Sequence, residues 1–319
     1  MTVHFLGKQE ARNGSPNPVP PSGGIGDLMA QVGPTTGDEY SPLLADIVEA
    51  LGGVPTLPVI ATRLLATIDD PSSSAGDVAR LVAGDQALVA NLLRMANSAY
   101  IGFGRQISSV TDAIVLVGLN GMRQMVLAIS VIDVFRVPKV GEALDYTNLW
   151  RHSLNTAAAG RQLAPRAGLN LEAGFLCGLL HDLGKILLSR AKPDGYARAQ
   201  MLACSEQRMI HQAELAVFGF DHGEIGAFAM DTWRFPSQLV RSARHHHCPA
   251  PGLPDGAGVA MVHVADAMMW DLTGVEAMGR PQISDEAARF LGVREAELSD
   301  LRAKSEAEAK SRWIALITG

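Results

Sequence analysis

The chain is short of cysteines, aromatics, positive charge and long apolar runs, and each shortage removes a class of protein. Three cysteines in 319 residues, Cys177, Cys204 and Cys248, are too few and too scattered for a disulfide framework, and no C-x-x-C pair occurs. Aromatics make up only 5% while Ala, Leu, Val and Met dominate, which favours helices over strands. A net charge of −6 argues against a general nucleic-acid-binding surface, so nucleic acid is not an expected partner. No uninterrupted apolar stretch is long enough to span a bilayer, and the opening MTVHFLGKQEARNG lacks the apolar core of a signal peptide. The expectation is a cytoplasmic protein with no membrane partner.

What is present is helical patterning. Residues 1–40, with SPNPVPPSGGIG and VGPTTGDEY, show no period and read as a disordered tail. From Ser41 onward, short helices follow one another. Pro58 suits the first turn of LPVIATRLLATIDD, Ser74 and Asp77 form a variant capping box, and Asp85 can cap QALVANLLRMANSAY. Two further helices follow in SSVTDAIVLVGLNGMRQMVLAISVIDVF, broken at Gly118–Gly121. This block, residues 41–137, ends at a boundary near Pro138–Glu142. A second block, 143–275, carries helices over Asn148–Leu163, Glu172–Ser189, Ser205–Phe218, Asp221–Trp233, Pro236–His247 and Val259–Asp271. Two amphipathic helices are expected within 276–319.

The histidines are unevenly placed. Of nine, eight lie between His152 and His263. The run LCGLLHDLGK sets His181 and Asp182 in an apolar helix with Lys185 a turn later. An ionised aspartate there is costly unless it is paired or bound to a metal. The other candidates fall on separate helices: His152, His222, His246 with His247, and Asp266. Facing helices of a bundle can aim such groups at one point. Imidazole and carboxylate suit Mn, Fe, Co, Ni or Zn, and the number of donors exceeds what one tetrahedral ion needs.

HDLGK, together with WRHS, DHGEIG, RHHHCP and HVAD in that order, resembles the HD superfamily of metal-dependent phosphohydrolases. The first block, with D-x-A-L, L-L-R-x-A-N-S-A-Y and S-x-x-x-A-I-x-x-x-G, resembles the amino-terminal half of the HDOD domain, a signalling branch of that superfamily found in bacteria. The resemblance covers about residues 45–275 and implies an all-α, multi-helical HDOD fold, with an N-terminal helical block packed on an HD-type bundle. Carried over position by position, it implies His152, His181, Asp182, His222, His246, His247 and Asp266 as metal ligands. The implied cofactor is a divalent transition metal such as Fe or Mn, in a centre that could be dinuclear. Asp182 and Lys185 take the catalytic positions, with Lys185 placed to contact a substrate phosphate. The branch that hydrolyses cyclic di-GMP follows its His pair with an acidic residue and a Gly-Tyr-Pro segment. Here His247 is followed by CPAPGLPDGAG, so recognition of that dinucleotide is unsupported.

Two readings follow. In one, the protein is a signalling or regulatory module that binds a partner protein or a small phosphorylated ligand, and HDOD domains generally lack established catalysis. In the other, the complete ligand set makes it an active phosphohydrolase, with Lys185 or Arg244 offsetting phosphate charge. Cys177 and Cys204 read as apolar fillers, Cys248 as a marginal ligand, and His211 and His263 as ordinary packing.

Overall fold

The computed structural model describes residues 40–51, 58–99, 107–135, 144–252, 254–270 and 278–310. Among the described residues every regular element is helical. The first half comprises α1 (Leu44–Ala50), α2 (Val59–Asp69), α3 (Ala75–Ala83), α4 (Gln86–Ala99) and α5 (Val110–Phe135). The second comprises α6 (Tyr146–Leu163), α7 (Leu171–Leu180), α8 (Leu183–Ala191), α9 (Pro193–Ser205), α10 (Ile210–Phe218), α11 (His222–Thr232), α12 (Ser237–His245) and α13 (Gly256–Met269). Two more, α14 (Asp285–Phe290) and α15 (Glu295–Glu308), complete it. The proposed boundary at 138–142 and nearly all of the 1–40 tail lie outside the described residues.

Local chemistry sets the helix starts. Ser74 accepts from the backbone N–H of Asp77 while Asp77 accepts from that of Ser74, so the capping box forms. Asp85 accepts from Leu88 N–H, and Asp145, Asn170 and Asp221 cap α6, α7 and α11 in the same way. Helix α5 kinks at Gly118, whose φ of 69° suits glycine. Its stretch Val110–Ile132 is long and apolar enough to cross a membrane by length and composition. Met122, Val126, Leu127 and Val131 from that stretch are instead buried in the protein core.

The core is continuous. Leu64, Val82, Met95 and Val126 of the first half belong to the same cluster of buried side chains as Phe175, Leu187, Met230 and Val262 of the second. The halves meet where α4 and α5 pack on α7 and where α1 packs on α8. The two pairings that shape the site are α6 on α7 and α8 on α11. Gly178 of α7 lies so near Thr156 of α6 that a Cβ would sit 2.5 Å from the Thr156 carbonyl oxygen. That approach brings His152, one turn from Thr156, beside His181. Likewise a Cβ on Gly184 would overlap the carbonyl of His222. The glycine of HDLGK is thus what lets α8 and α11 touch.

Two expectations need correcting. The helix anticipated over Glu172–Ser189 is two helices, α7 and α8, broken at His181 and Asp182. The ring Nδ1 of His181 donates to the Gly178 carbonyl at 2.8 Å, and the chain turns there instead of continuing regular helical hydrogen bonding. The helix anticipated over Ser205–Phe218 begins only at Ile210; Gln207, with φ of 49°, interrupts the chain after α9. That preceding helix starts on Pro193, whose fixed φ suits a first turn.

Replacing Gly184 with alanine should force α8 and α11 apart. A loss of about 1–3 kcal/mol or more is expected, as for other overpacked cores, measured by urea unfolding; wild-type stability would contradict the close approach.

Candidate metal centre

Buried ends of α7, α11 and α12 converge on the middle of α6, with α13 closing one side. The C-terminal ends of α7 and α12 act alike. Each is followed at once by a histidine, His181 or His246, whose Nδ1 donates to a carbonyl three residues back: Gly178 O at 2.8 Å and Ala243 O at 2.7 Å. Terminal helix carbonyls lack an internal partner, so the rings satisfy them and turn both Nε2 atoms inward. Both Nε2 atoms are buried without a hydrogen-bond partner.

Asp182 occupies the middle and is 1% exposed. Its Oδ2 lies 3.4 Å from His181 Nε2 and 3.8 Å from His152 Nε2. Its Oδ1 lies 3.1 Å from His222 Nε2 and 3.8 Å from His246 Nε2, without making a hydrogen bond. Helix α13 supplies Asp266, whose Oδ1 accepts from His152 Nε2 at 2.9 Å and stands 3.6 Å from His181 Nε2. His247 is half-buried, and its Nε2 is 2.9 Å from His222 Nε2. All seven sequence-derived ligand candidates are therefore brought together. They form three overlapping groups with donor atoms within 4.8 Å of one another: His152, His181 and Asp266; His181, Asp182 and His246; His222, His246 and His247. The two Asp182 oxygens face the first and last of these.

Burial opposes the charge on Asp182, yet His181, Lys185 and His222 hold its carboxyl well below the usual range. Asp266 is likewise lowered against its burial by His152 and His181. Burial, His181 and His222 push His246 well down, and burial, His246 and His222 do the same to His247. His222 is the exception. Despite burial it is raised to about 10, chiefly by Glu214. Lys185 Nζ donates to Asp182 Oδ2 at 2.6 Å and is the nearest cationic side chain to that carboxylate. Arg244, the other basic residue considered, lies over the Tyr40 ring at 4.6 Å and 3.9 Å from Glu224, away from the centre.

A half-open cavity of about 90 Å³ reaches the cluster, lined by Leu149, His152, Asp182, Lys185, Tyr196 and Ile210 among others. A wider cleft of about 960 Å³, between α13 and the C-terminal helices, is lined by none of the histidines.

The donor set fits a metal. Orphaned Nε2 atoms on His181 and His246 and an orphaned Asp182 oxygen, all buried and close together, are poor company without a shared cation. Cys248 is exposed and belongs to none of these groups, and His245 lies outside them too.

Three residues escaped the sequence reading. Glu214 accepts from both the Nδ1 and the backbone N–H of His222. Its signal was an acidic residue on the apolar stripe formed by Ile210, Ala213 and Val217. His263, read as packing, donates from Nδ1 to the His246 carbonyl at 2.7 Å and accepts from Ser284 N–H at 2.9 Å. His211, also read as packing, stacks on His247 with ring centroids 4.0 Å apart, and burial lowers it to about 4. Nothing in their spacing distinguishes these two histidines.

A family model described as the HDOD domain matches residues 54–249, which spans both helical blocks and four of the five ligand-bearing segments. The chain belongs to the HDOD family. An HDOD domain protein of unknown function from Geobacter sulfurreducens is 27% identical with a TM-score of 0.57, over 86% of this chain and 95% of that one. A Shewanella amazonensis SB2B protein provisionally assigned as a phosphohydrolase is 25% identical with a TM-score of 0.64, over 86% and 98% of the two chains. An uncharacterized protein of Treponema pallidum (strain Nichols) is 26% identical over 216 residues, 66% of this HDOD chain and 40% of that protein. The chain thus spans well under half the length of that curated relative.

Removing the Lys185 ammonium should expose how much the Asp182 charge costs. Lys185→Met in chelator-treated protein is expected to lose about 3–5 kcal/mol of stability in urea, the scale for breaking a buried pair; no loss would mean imidazolium charge alone compensates Asp182.

Proposed function

We propose that this HDOD protein is a bacterial regulatory protein whose second half holds two divalent transition-metal ions and, beside them, a small phosphorylated ligand. The observation that carries the reading is the pair of donor groups on opposite sides of Asp182, each short of hydrogen-bond partners. His152, His181 and Asp266 would hold one ion and His222, His246 and His247 the other, with Asp182 lying between the two groups. Imidazole with carboxylate suits Fe, Mn or a similar metal. Such ions supply charge neutralisation for the buried carboxylates and Lewis acidity toward a phosphoryl oxygen.

The chain's own residues do the remainder. Lys185 lines the cavity beside Asp182, where its ammonium would offset the charge of a bound phosphate. Leu149, Tyr196 and Ile210 border the same space and limit water around a bound ligand. Occupancy of that space would report to a protein partner through the continuous core shared with the N-terminal half.

A second reading, hydrolysis of the ligand, is favoured by one specific observation: no position of the ligand set inferred for the superfamily is lost. The resemblance to a provisionally assigned phosphohydrolase at 25% identity is consistent with it.

Metal analysis of protein purified without chelators is expected to find one to two transition-metal ions per chain. His181→Ala combined with Asp182→Ala should abolish that content, and undiminished occupancy would refute the ligand assignment. A panel of phosphomonoesters and cyclic nucleotides with Mn or Fe then separates the two readings. Turnover lost in the double variant supports hydrolysis; metal bound with no turnover supports the regulatory role.

A further inference from the structure

Glu214, at 0% exposure, is as deeply buried as the acids of the cluster itself, and no motif points to it. It sits on α10, eight residues before His222. One oxygen, Oε2, accepts twice from that residue: from ring Nδ1 at 2.6 Å and from the backbone N–H at 2.9 Å. His222 is the first residue of α11, so its N–H has no partner inside the helix. Asp221 already serves the N–H of Glu224. Glu214 therefore completes the helix start, and its negative charge suits the helix N-terminus.

The ring contact has a second effect. With the Nδ1 proton held by a carboxylate, Nε2 of His222 is the atom left to face Asp182 Oδ1 at 3.1 Å and His247 Nε2 at 2.9 Å. Backbone and ring are both fixed by the same oxygen, which determines where the imidazole points. His181 and His246 receive only a neutral carbonyl on Nδ1. Within the described residues, His222 is the one of these three whose ring is backed by a full negative charge.

We infer that Glu214 is a positioning residue that orients His222 and raises its donor strength toward the ion held by His222, His246 and His247. The inference rests on the metal-centre reading above. A carboxylate on the far nitrogen of a ligating imidazole makes the ring a better donor, and losing such a partner typically weakens metal binding about 10–100-fold.

The test is a titration of chelator-stripped full-length protein with Co(II), followed by visible absorption, on wild type, Glu214→Gln and Glu214→Met. Glu214→Gln keeps an acceptor and removes the charge; Glu214→Met removes both. Affinity for one Co(II) per chain should fall about 10–100-fold in Glu214→Met and by a smaller factor in Glu214→Gln, the other being spared. A purely structural role would lower the stability of the metal-free protein and leave Co(II) affinity unchanged, which would overturn the inference. If Glu214→Met fails to fold, wild-type affinity in Glu214→Gln overturns it equally. If wild type takes up no Co(II) at all, the metal-centre reading itself fails, and the inference with it.

Discussion

A carboxylate placed where water cannot reach must be matched by positive charge, and the geometry of this protein is organised around that requirement at Asp182. The group lies in the middle of an apolar bundle, so its charge is barely screened and every neighbour within a few ångströms counts. Lys185 meets it from one side and imidazoles from four helices meet it from the others. None of these can move far without leaving charge uncompensated. The arrangement also demands that helices approach closely, because imidazole is short and its reach beyond the backbone is limited. Small residues at the crossings of α6 with α7 and α8 with α11 supply that closeness.

The helix ends do the aiming. His181 and His246 follow directly on the last turns of α7 and α12, where carbonyls are left over, and each ring spends its Nδ1 proton on one of them. The same local rule applied twice leaves two Nε2 atoms buried in the site without a partner. His222 works from the opposite kind of terminus, the start of α11, and there the anchoring group is an acid rather than a carbonyl. For these three histidines, orientation thus follows from which end of a helix each occupies.

Much of this was legible in the sequence. Apolar periodicity and caps such as Ser74, Asp85 and Asp221 located most helices, and the order of the His and Asp motifs located the donors. What stayed hidden depended on three-dimensional contact. The break at His181 and Asp182 arises from a side chain competing for a backbone acceptor, which leaves no trace in hydrophobic patterning. The supporting roles of His211 and His263 depend on neighbours 36 and 17 residues away in the chain. Glu214 was closer to visible, since an acid on an apolar stripe is anomalous, but its purpose emerges only once α10 is seen beside α11.

The matched HDOD region stops at residue 249, whereas Asp266, which accepts from His152, comes later on α13. Beyond it, His263 ties the backbone of His246 to Ser284 at the head of α14, and Arg161 of α6 pairs with Glu308 of α15. The cluster of buried His and Asp side chains therefore extends past the matched region. A recombinant fragment trimmed to the homologous limits would keep His181 and Asp182 and discard Asp266, one of the cluster's two acids.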